Sequence, residues 1–354
     1  MEMRVQTLVH ISALAALLDC GQPSQPHNNT TPPALRAKVY VANEMDGTVS
    51  VLDRHTGALL STVDLTQGPV MFMGHNVHMS TATRRVVVTA PVMVMPDTPP
   101  DAQDQLVVLD PTTDVIERRV PLGVGMGAAH VVSHPTTGEI YVSAFNRNQV
   151  LRVGSGQSQA TLLATLGEGR GPHGLALCGN RLVVANMDGH SAHVIDVDTG
   201  AAAETTLGGM AVQAACAPDG HAAYITLFDL AQLVQLDLTT KDIQRIQLIA
   251  TPRGPVQVAV SPDGQYAYVA DQGMLLNRPP SRWLYQVDLA AMVVSQLTEV
   301  GSGAHGVALS KDGALAVVTN AADNTVSYVA TAGLATIHTV NVGTKPNGVA
   351  VFEP

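Results

Sequence analysis

Aromatic side chains are scarce, only 3% of 354 residues with a single tryptophan, and charged side chains reach only 14%. Valine, alanine, leucine, threonine and glycine fill the gap, a composition suited to tightly turned β-structure. The apolar fraction of 46% is ample for a core. Positive charge is sparse, with a formal net charge of −10 and no basic cluster longer than two residues. Nothing would compensate phosphate repulsion, so nucleic acid is excluded as a partner. Cysteine is nearly absent. There is no C-x-x-C, which removes zinc-ribbon and thioredoxin readings, and no C-x-x-C-H for covalent haem. Beyond Cys20 only Cys178 and Cys216 remain; an oxidising compartment would allow them to pair, but two buried thiols are the expectation.

Long apolar runs are missing as well. The one run, residues 8–18 behind Arg4, is too short to span a bilayer and reads as the core of an export signal over residues 1–20. It ends in LLDC, which resembles the lipoprotein box in which the cysteine, here Cys20, is lipidated; Asp19 departs from that pattern, where a small residue normally stands. Residues 21–36, containing QPSQPHNNTTPP, read as a polar, Pro-rich disordered tether. The folded part, residues 37–354, is therefore expected outside the cytoplasm, in the periplasm or held to a membrane only by a lipid anchor.

What the sequence does have is repetition. GPVQVAVSPDGQYAYVAD (254–271) returns as GAHGVALSKDGALAVVTN (303–320), as the shorter GPHGLALCGNRLVVAN (171–186) and as the divergent GMAVQAACAPDGHAAYIT (209–226). Residues 126–146 and 73–90 complete the internal set. Equivalent positions are His75, Ala129, His173, Val212, Val256, His305 and Asn347, spaced by 54, 44, 39, 44, 49 and 42 residues. A period near 40–45 with about four short strands per repeat is the signature of a β-propeller. Lys38 begins at a second-strand position, whereas KPNGVAVFEP at the C-terminus supplies only a first strand. Together they should complete a seventh blade and close the ring, leaving no open sheet edge. The expected fold class is all-β, a seven-bladed propeller of four-stranded blades.

The phrases YVANEMDGTVSVLD, LVVANMDGHSAHVIDVDTG and VVTNAADNTVSYV resemble the YVTN-repeat propellers, the group that includes the YncE-like periplasmic proteins. The resemblance covers roughly residues 37–354. It implies a seven-bladed, usually exported propeller, and no particular reaction, because the repeat is shared by binding proteins, surface-layer proteins and enzymes.

In such a blade the first strand lines the central channel, and the residues leading into it should ring one mouth. That ring offers His75 or His78, His130, His173, Gln213, Gln257, His305 and Asn347. Three of these, His130, Gln213 and Gln257, fall one residue later than the others, and successive strand residues face opposite ways, so convergence of the two sets is open. Two long insertions, residues 90–105 and 271–283, should flank the same mouth; the second carries Arg278, Arg282 and Trp283 as candidate ligand-binding residues.

Three functions follow from this ring. The first is a binding or scaffold protein of the bacterial envelope, whose rim engages a small ligand, a polysaccharide or another envelope protein. The second is a copper or zinc site built from His75, His78, His130, His173 and His305, with Met71, Met73, Met79, Met93 or Met95 as softer ligands. The third is a lactonase- or lyase-type enzyme with His173 or His305 as general base near Glu168 or Asp271. No nucleophile elbow, Walker loop, H-E-x-x-H or dinucleotide fingerprint stands in a usable context, so no reaction is named by motif. Met71 and Met73, like Met93 and Met95, alternate as strand residues do and are expected to pack between blades.

Overall fold

Seven antiparallel four-stranded sheets arise from the repeats in a computed structural model that describes residues 35–248 and 254–354. The inner strands of blades 1 to 7 are Asn76–Ser80, Ala128–Ser133, Pro172–Cys178, Ala211–Cys216, Pro255–Val260, Ala304–Leu309 and Pro346–Phe352. Blade 7 is composite: Pro346–Phe352 pairs with Lys38–Asn43, joining the two ends of the propeller in one sheet. The export signal, Cys20 and nearly all of the tether lie outside the described residues, as do residues 249–253. Among the described residues no helix is long and apolar enough to cross a membrane.

Burial explains the strand sequences. The second strands are buried at every position, as in KVYVAN (Lys38–Asn43) and AAYITL (Ala222–Leu227), or at all but the first, as in RVVVTA (Arg85–Ala90), because both faces of the sheet pack against neighbouring blades. The outermost strands, such as Val293–Glu299, are mostly exposed and carry the polar residues. The asparagine closing the VAN and VTN phrases is structural. Asn43 donates to Thr48 and Ser50, and Asn320 to Thr325 and Ser327, each bond 2.9 Å, so the amide locks the hairpin that follows.

One irregularity recurs at the start of every inner strand. In blade 2, Ala128 pairs with Ala144 but Val131 with Val142, so three steps on the inner strand oppose two on its neighbour. The same one-residue bulge follows Pro172, Ala211, Pro255, Ala304 and Pro346. Blade 1 shows it between the Phe72–Val92 bridge and the Asn76–Thr89 pair. The bulged pairs are His75-Asn76, Ala129-His130, His173-Gly174, Val212-Gln213, Val256-Gln257, His305-Gly306 and Asn347-Gly348.

A second-strand hydroxyl clamps four of these bulges. Ser143 accepts the His130 N–H (2.9 Å) and donates to the His173 carbonyl of the next blade (2.6 Å). Thr89, Thr226 and Thr319 make the equivalent two bonds, to Asn76 and Ala129, Gln213 and Val256, and Gly306 and Asn347. Replacing Ser143 by alanine leaves a buried N–H and a carbonyl short of partners, which costs about 1–3 kcal/mol. Denaturant unfolding should show that loss for Ser143→Ala and much less for Ser143→Thr; equal stability of all three proteins would remove the clamp from the account.

The two remaining cysteines are joined. Cys178 and Cys216 form a disulfide between the inner strands of blades 3 and 4, correcting the expectation of two free thiols. Blade 3 has Ala185 where its neighbours carry the clamping hydroxyl, so the covalent bond ties a joint that lacks the usual one. Sequence separation could not reveal this, because adjacency of the two strand ends depends on the ring.

Candidate functional site at the channel mouth

The bulge settles the one-residue offset. An extra residue at the start of the inner strand lets both of its positions turn toward the axis, and six blades use one of them for a polar side chain; in blade 1 both are polar, and the second, Asn76, accepts the Val131 N–H of blade 2. Where the second position is polar, as at His130, Gln213 and Gln257, the first is Ala129, Val212 or Val256. Where the first is His173, His305 or Asn347, the second is glycine, and space explains why. A Cβ on Gly174 would lie 2.5 Å from the Val212 carbonyl oxygen, and one on Gly306 2.4 Å from the Asn347 oxygen. The two sets converge.

Three imidazoles from adjacent blades form the centre. The rings of His130 and His173 lie 4.5 Å apart between centroids, and His75 stands 5.6 Å from each, edge-on. One ring nitrogen from each falls within 4.8 Å of the other two. A tetrahedral metal at 2.0–2.1 Å from each nitrogen needs separations of about 3.4 Å, so the rings would have to close on the ion.

Each ring is held from behind. His173 Nδ1 lies 2.9 Å from the Val212 carbonyl oxygen, so it must donate there, and its Nε2 carries the lone pair. His130 Nδ1 is 3.4 Å from the Gln213 amide, whose Oε1 otherwise lacks a partner. Turning that amide end for end makes Nδ1–H the donor and leaves the unpartnered His130 Nε2 free to ligate. At His75 the Asn347 amide nitrogen is shared between Nδ1 (3.3 Å) and Glu44 Oε2 (3.1 Å). Ligation through the unpartnered Nε2 needs the ring proton on Nδ1, so the Asn347 amide must give up its contact with Nδ1 and stay with Glu44.

The environment keeps these rings neutral. Burial lowers His130 well below the usual imidazole value, with His173, His75 and His305 adding to the effect. Burial also pushes His173 down to about 4 and His305 to about 3. Glu44 and Lys345, 3.2 Å apart, lie beside His75 at the mouth. Burial works to raise the Glu44 carboxyl, but His75, Lys345 and Asn347 outweigh it and hold it below the usual carboxylate range. Neither Glu44 nor Lys345 was among the residues singled out in the sequence, because both act from loops of the composite blade.

The other candidates are placed elsewhere. His305 is buried beside the trio, with Nδ1 unpartnered, but does not join the group of three close nitrogens. Gln257 is buried on the ring. Beyond the ring lies a channel cavity of about 250 Å³, lined by His78, Val131, Gln213, Gln257, Val307 and Val349 among others. His78 thus belongs to the channel wall and not to the trio; its Nε2 accepts the Ser133 N–H of blade 2 at 3.2 Å. Arg278 packs over the Phe228 ring at 5.3 Å and donates to the Phe228 and Asp229 carbonyls, pinning its loop to blade 4. Arg282 pairs with Glu299 in an exposed contact, and Trp283 packs at the edge of the core between blades 4 and 5. Glu168 is exposed and Asp271 is fully buried against the Tyr285 hydroxyl, so neither is set to partner His173 or His305.

The buried neutral His78 makes stability pH-dependent. Burial holds it down at about 4, against 6.5 in an unfolded chain. As pH falls below about 6.5 the unfolded chain binds a proton that the folded one refuses, so stability is complete above that value and drains away down to about 4. The difference is on the order of 3 kcal/mol for this group. Urea unfolding of wild type should therefore lose stability between pH 7 and pH 4.5, and His78→Gln, whose carbonyl still accepts the Ser133 N–H, should lose less. Parallel pH profiles would contradict this.

No family model and no curated protein matches the sequence. Solved structures do match the fold. Hydrazine synthase of Kuenenia stuttgartiensis superposes with a TM-score of 0.68 at 15% identity, covering 88% of this chain and 99% of that one. Virginiamycin B lyase from Staphylococcus aureus gives 0.63 at 12%, covering 78% and 87%. A putative 6-phosphogluconolactonase from Bacteroides fragilis gives 0.64 at 13%, covering 90% and 99%. At such identities the likeness is one of fold: these are β-propeller neighbours that differ in activity.

Proposed function

We propose that this chain is an exported, YncE-like propeller of the YVTN-repeat kind that binds a transition-metal ion, zinc or copper, at the channel mouth through His75, His130 and His173. The observation that carries the reading is the convergence of three imidazoles, His130 buried and His75 and His173 partly so, one from each of three adjacent blades, with ligand atoms within 4.8 Å of one another. Neutral imidazole is a good ligand for both metals. Burial keeps the rings unprotonated near neutral pH, and the second nitrogen of His173 and of His130 faces a carbonyl or an amide able to fix its tautomer. The disulfide between blades 3 and 4 supports residence in an oxidising compartment, consistent with an export signal at residues 1–20 and lipidation of Cys20.

The enzyme reading has one observation in its favour, the Glu44–Asn347–His75 chain, which sets a carboxylate behind an imidazole. Against it, burial lowers the His75 ring more than Glu44 restores it, which makes a weak base. A scaffold that engages an envelope partner needs no metal. Metal analysis of protein purified without a histidine tag separates the readings. The proposal expects stoichiometric zinc or copper, or a clear rise in the unfolding temperature when either is added to stripped protein. Metal-free protein that gains no stability from either ion would sink it.

A further inference from the structure

We infer that Met71, Met73, Met93 and Met95 form a second metal site on the rim of the mouth, one that takes a soft monovalent cation, Cu(I), through thioether sulfur. Residues 71–73 and 91–93 run as a short antiparallel ribbon: Phe72 bridges Val92, the Met93 N–H donates to the Met71 carbonyl (2.9 Å), and the Met73 N–H to the Pro91 carbonyl (2.8 Å). Met71 and Met93 therefore stand directly opposite each other, at a spacing that brings side chains together.

Alternation decides which way they point. Phe72 is buried in the core, and Val70 and Val92 pack against the same cluster. The intervening Met71, Met73 and Met93 must face away from it; Met95 lies just past the ribbon's last paired residue, at the start of the turn that Thr98 closes. Met71 is 37% exposed and Met95 48% exposed, which corrects the expectation that these methionines fill gaps between blades. Nine of the eleven methionines among the described residues lie in loops of this one face; Met79 and Met292 do not.

The ribbon is anchored. Asp104, buried at its base, accepts the Val92 N–H and the Ala128 N–H of the next blade, and the Thr98 hydroxyl accepts the Met95 N–H at 2.8 Å. Its thioethers are thus held on a fixed frame, two residues ahead of His75. Neutral thioether sulfur selects Cu(I) and discriminates against harder ions. The assignment of Cu(I) as the metal that also reaches the histidines rests on the metal-binding reading above; the ribbon site stands on its own geometry.

Anaerobic titration with Cu(I), or with Ag(I) as a redox-inert probe, against a competing chelator tests this. Wild type should bind at both the ribbon and the histidines. Met71→Leu/Met93→Leu/Met95→Leu should lose the ribbon equivalent and keep the other, and His130→Ala should do the reverse. A leucine variant that binds as wild type does overturns the ribbon site and leaves the histidine reading intact. An alanine variant that binds as wild type does overturns the histidine reading alone. Methyl-labelled methionine in the His130→Ala background guards against a leucine variant that fails to fold. The Met71 and Met93 methyl signals should shift with the first equivalent of Ag(I), and unmoved signals overturn the inference.

Discussion

Replacing His130 by alanine is expected to weaken zinc or copper binding by about a hundredfold or more, since even outer-shell changes at metal sites cost 10–100-fold. The fold should survive the change. His130 Nε2 has no partner, and Nδ1 has only the 3.4 Å contact to Gln213, so removing the ring strands no strong hydrogen bond. Its backbone N–H stays clamped by Ser143. His173 is a less clean test, because its Nδ1–H is a partner of the Val212 carbonyl and its loss would also unpair that oxygen. His78→Gln, in the channel wall, should leave metal affinity unchanged. Isothermal titration or chelator competition on the two variants reads the contrast; equal affinities for His130→Ala and wild type would remove His130 from the site.

The second large effect is on stability. Exchanging both Cys178 and Cys216 for serine opens a cross-link with a sequence separation of 38 residues. The loop-entropy relation puts its contribution at about 4 kcal/mol. For a propeller of this size that corresponds to a fall of roughly 5–10 °C in the unfolding midpoint. Scanning fluorimetry or calorimetry should find it, and reductant should bring wild type to the variant's midpoint without moving the variant. Metal affinity should change little, because the bond lies at the far ends of inner strands whose beginnings carry His173 and Gln213. An unchanged midpoint would show that the blade 3–4 joint is held by its packing alone.

The ring was legible in the sequence because each blade repeats the same phrase, and the repeat aligns seven positions without reference to space. The split of the C-terminal strand from the N-terminal three was legible for the same reason. What the alignment could not decide was whether His75 and His173 meet His130, since a one-residue bulge changes which side chains face the axis while leaving no gap in the repeat. A trace of it was present: glycine follows His173, His305 and Asn347, and a small or β-branched residue precedes His130, Gln213 and Gln257. Glu44 gave no such trace. It reaches His75 from the second-to-third strand loop of the composite blade, across 303 residues of chain from Asn347. The disulfide was hidden by the same kind of distance, and the exposure of Met71 and Met95 depended on which side of the ribbon meets the core.

The central claim is that His75, His130 and His173 hold one metal ion between them. The most direct measurement is a crystal of the stripped protein soaked in zinc or copper and recorded at the metal's absorption edge. The account predicts a single strong anomalous peak at the channel mouth, about 2.0–2.1 Å from one nitrogen of each of the three rings, with the Gln213 amide turned to accept from His130 Nδ1. A difference map with no peak between the three histidines, or a peak bound only to exposed histidines in the outer turns, would contradict it.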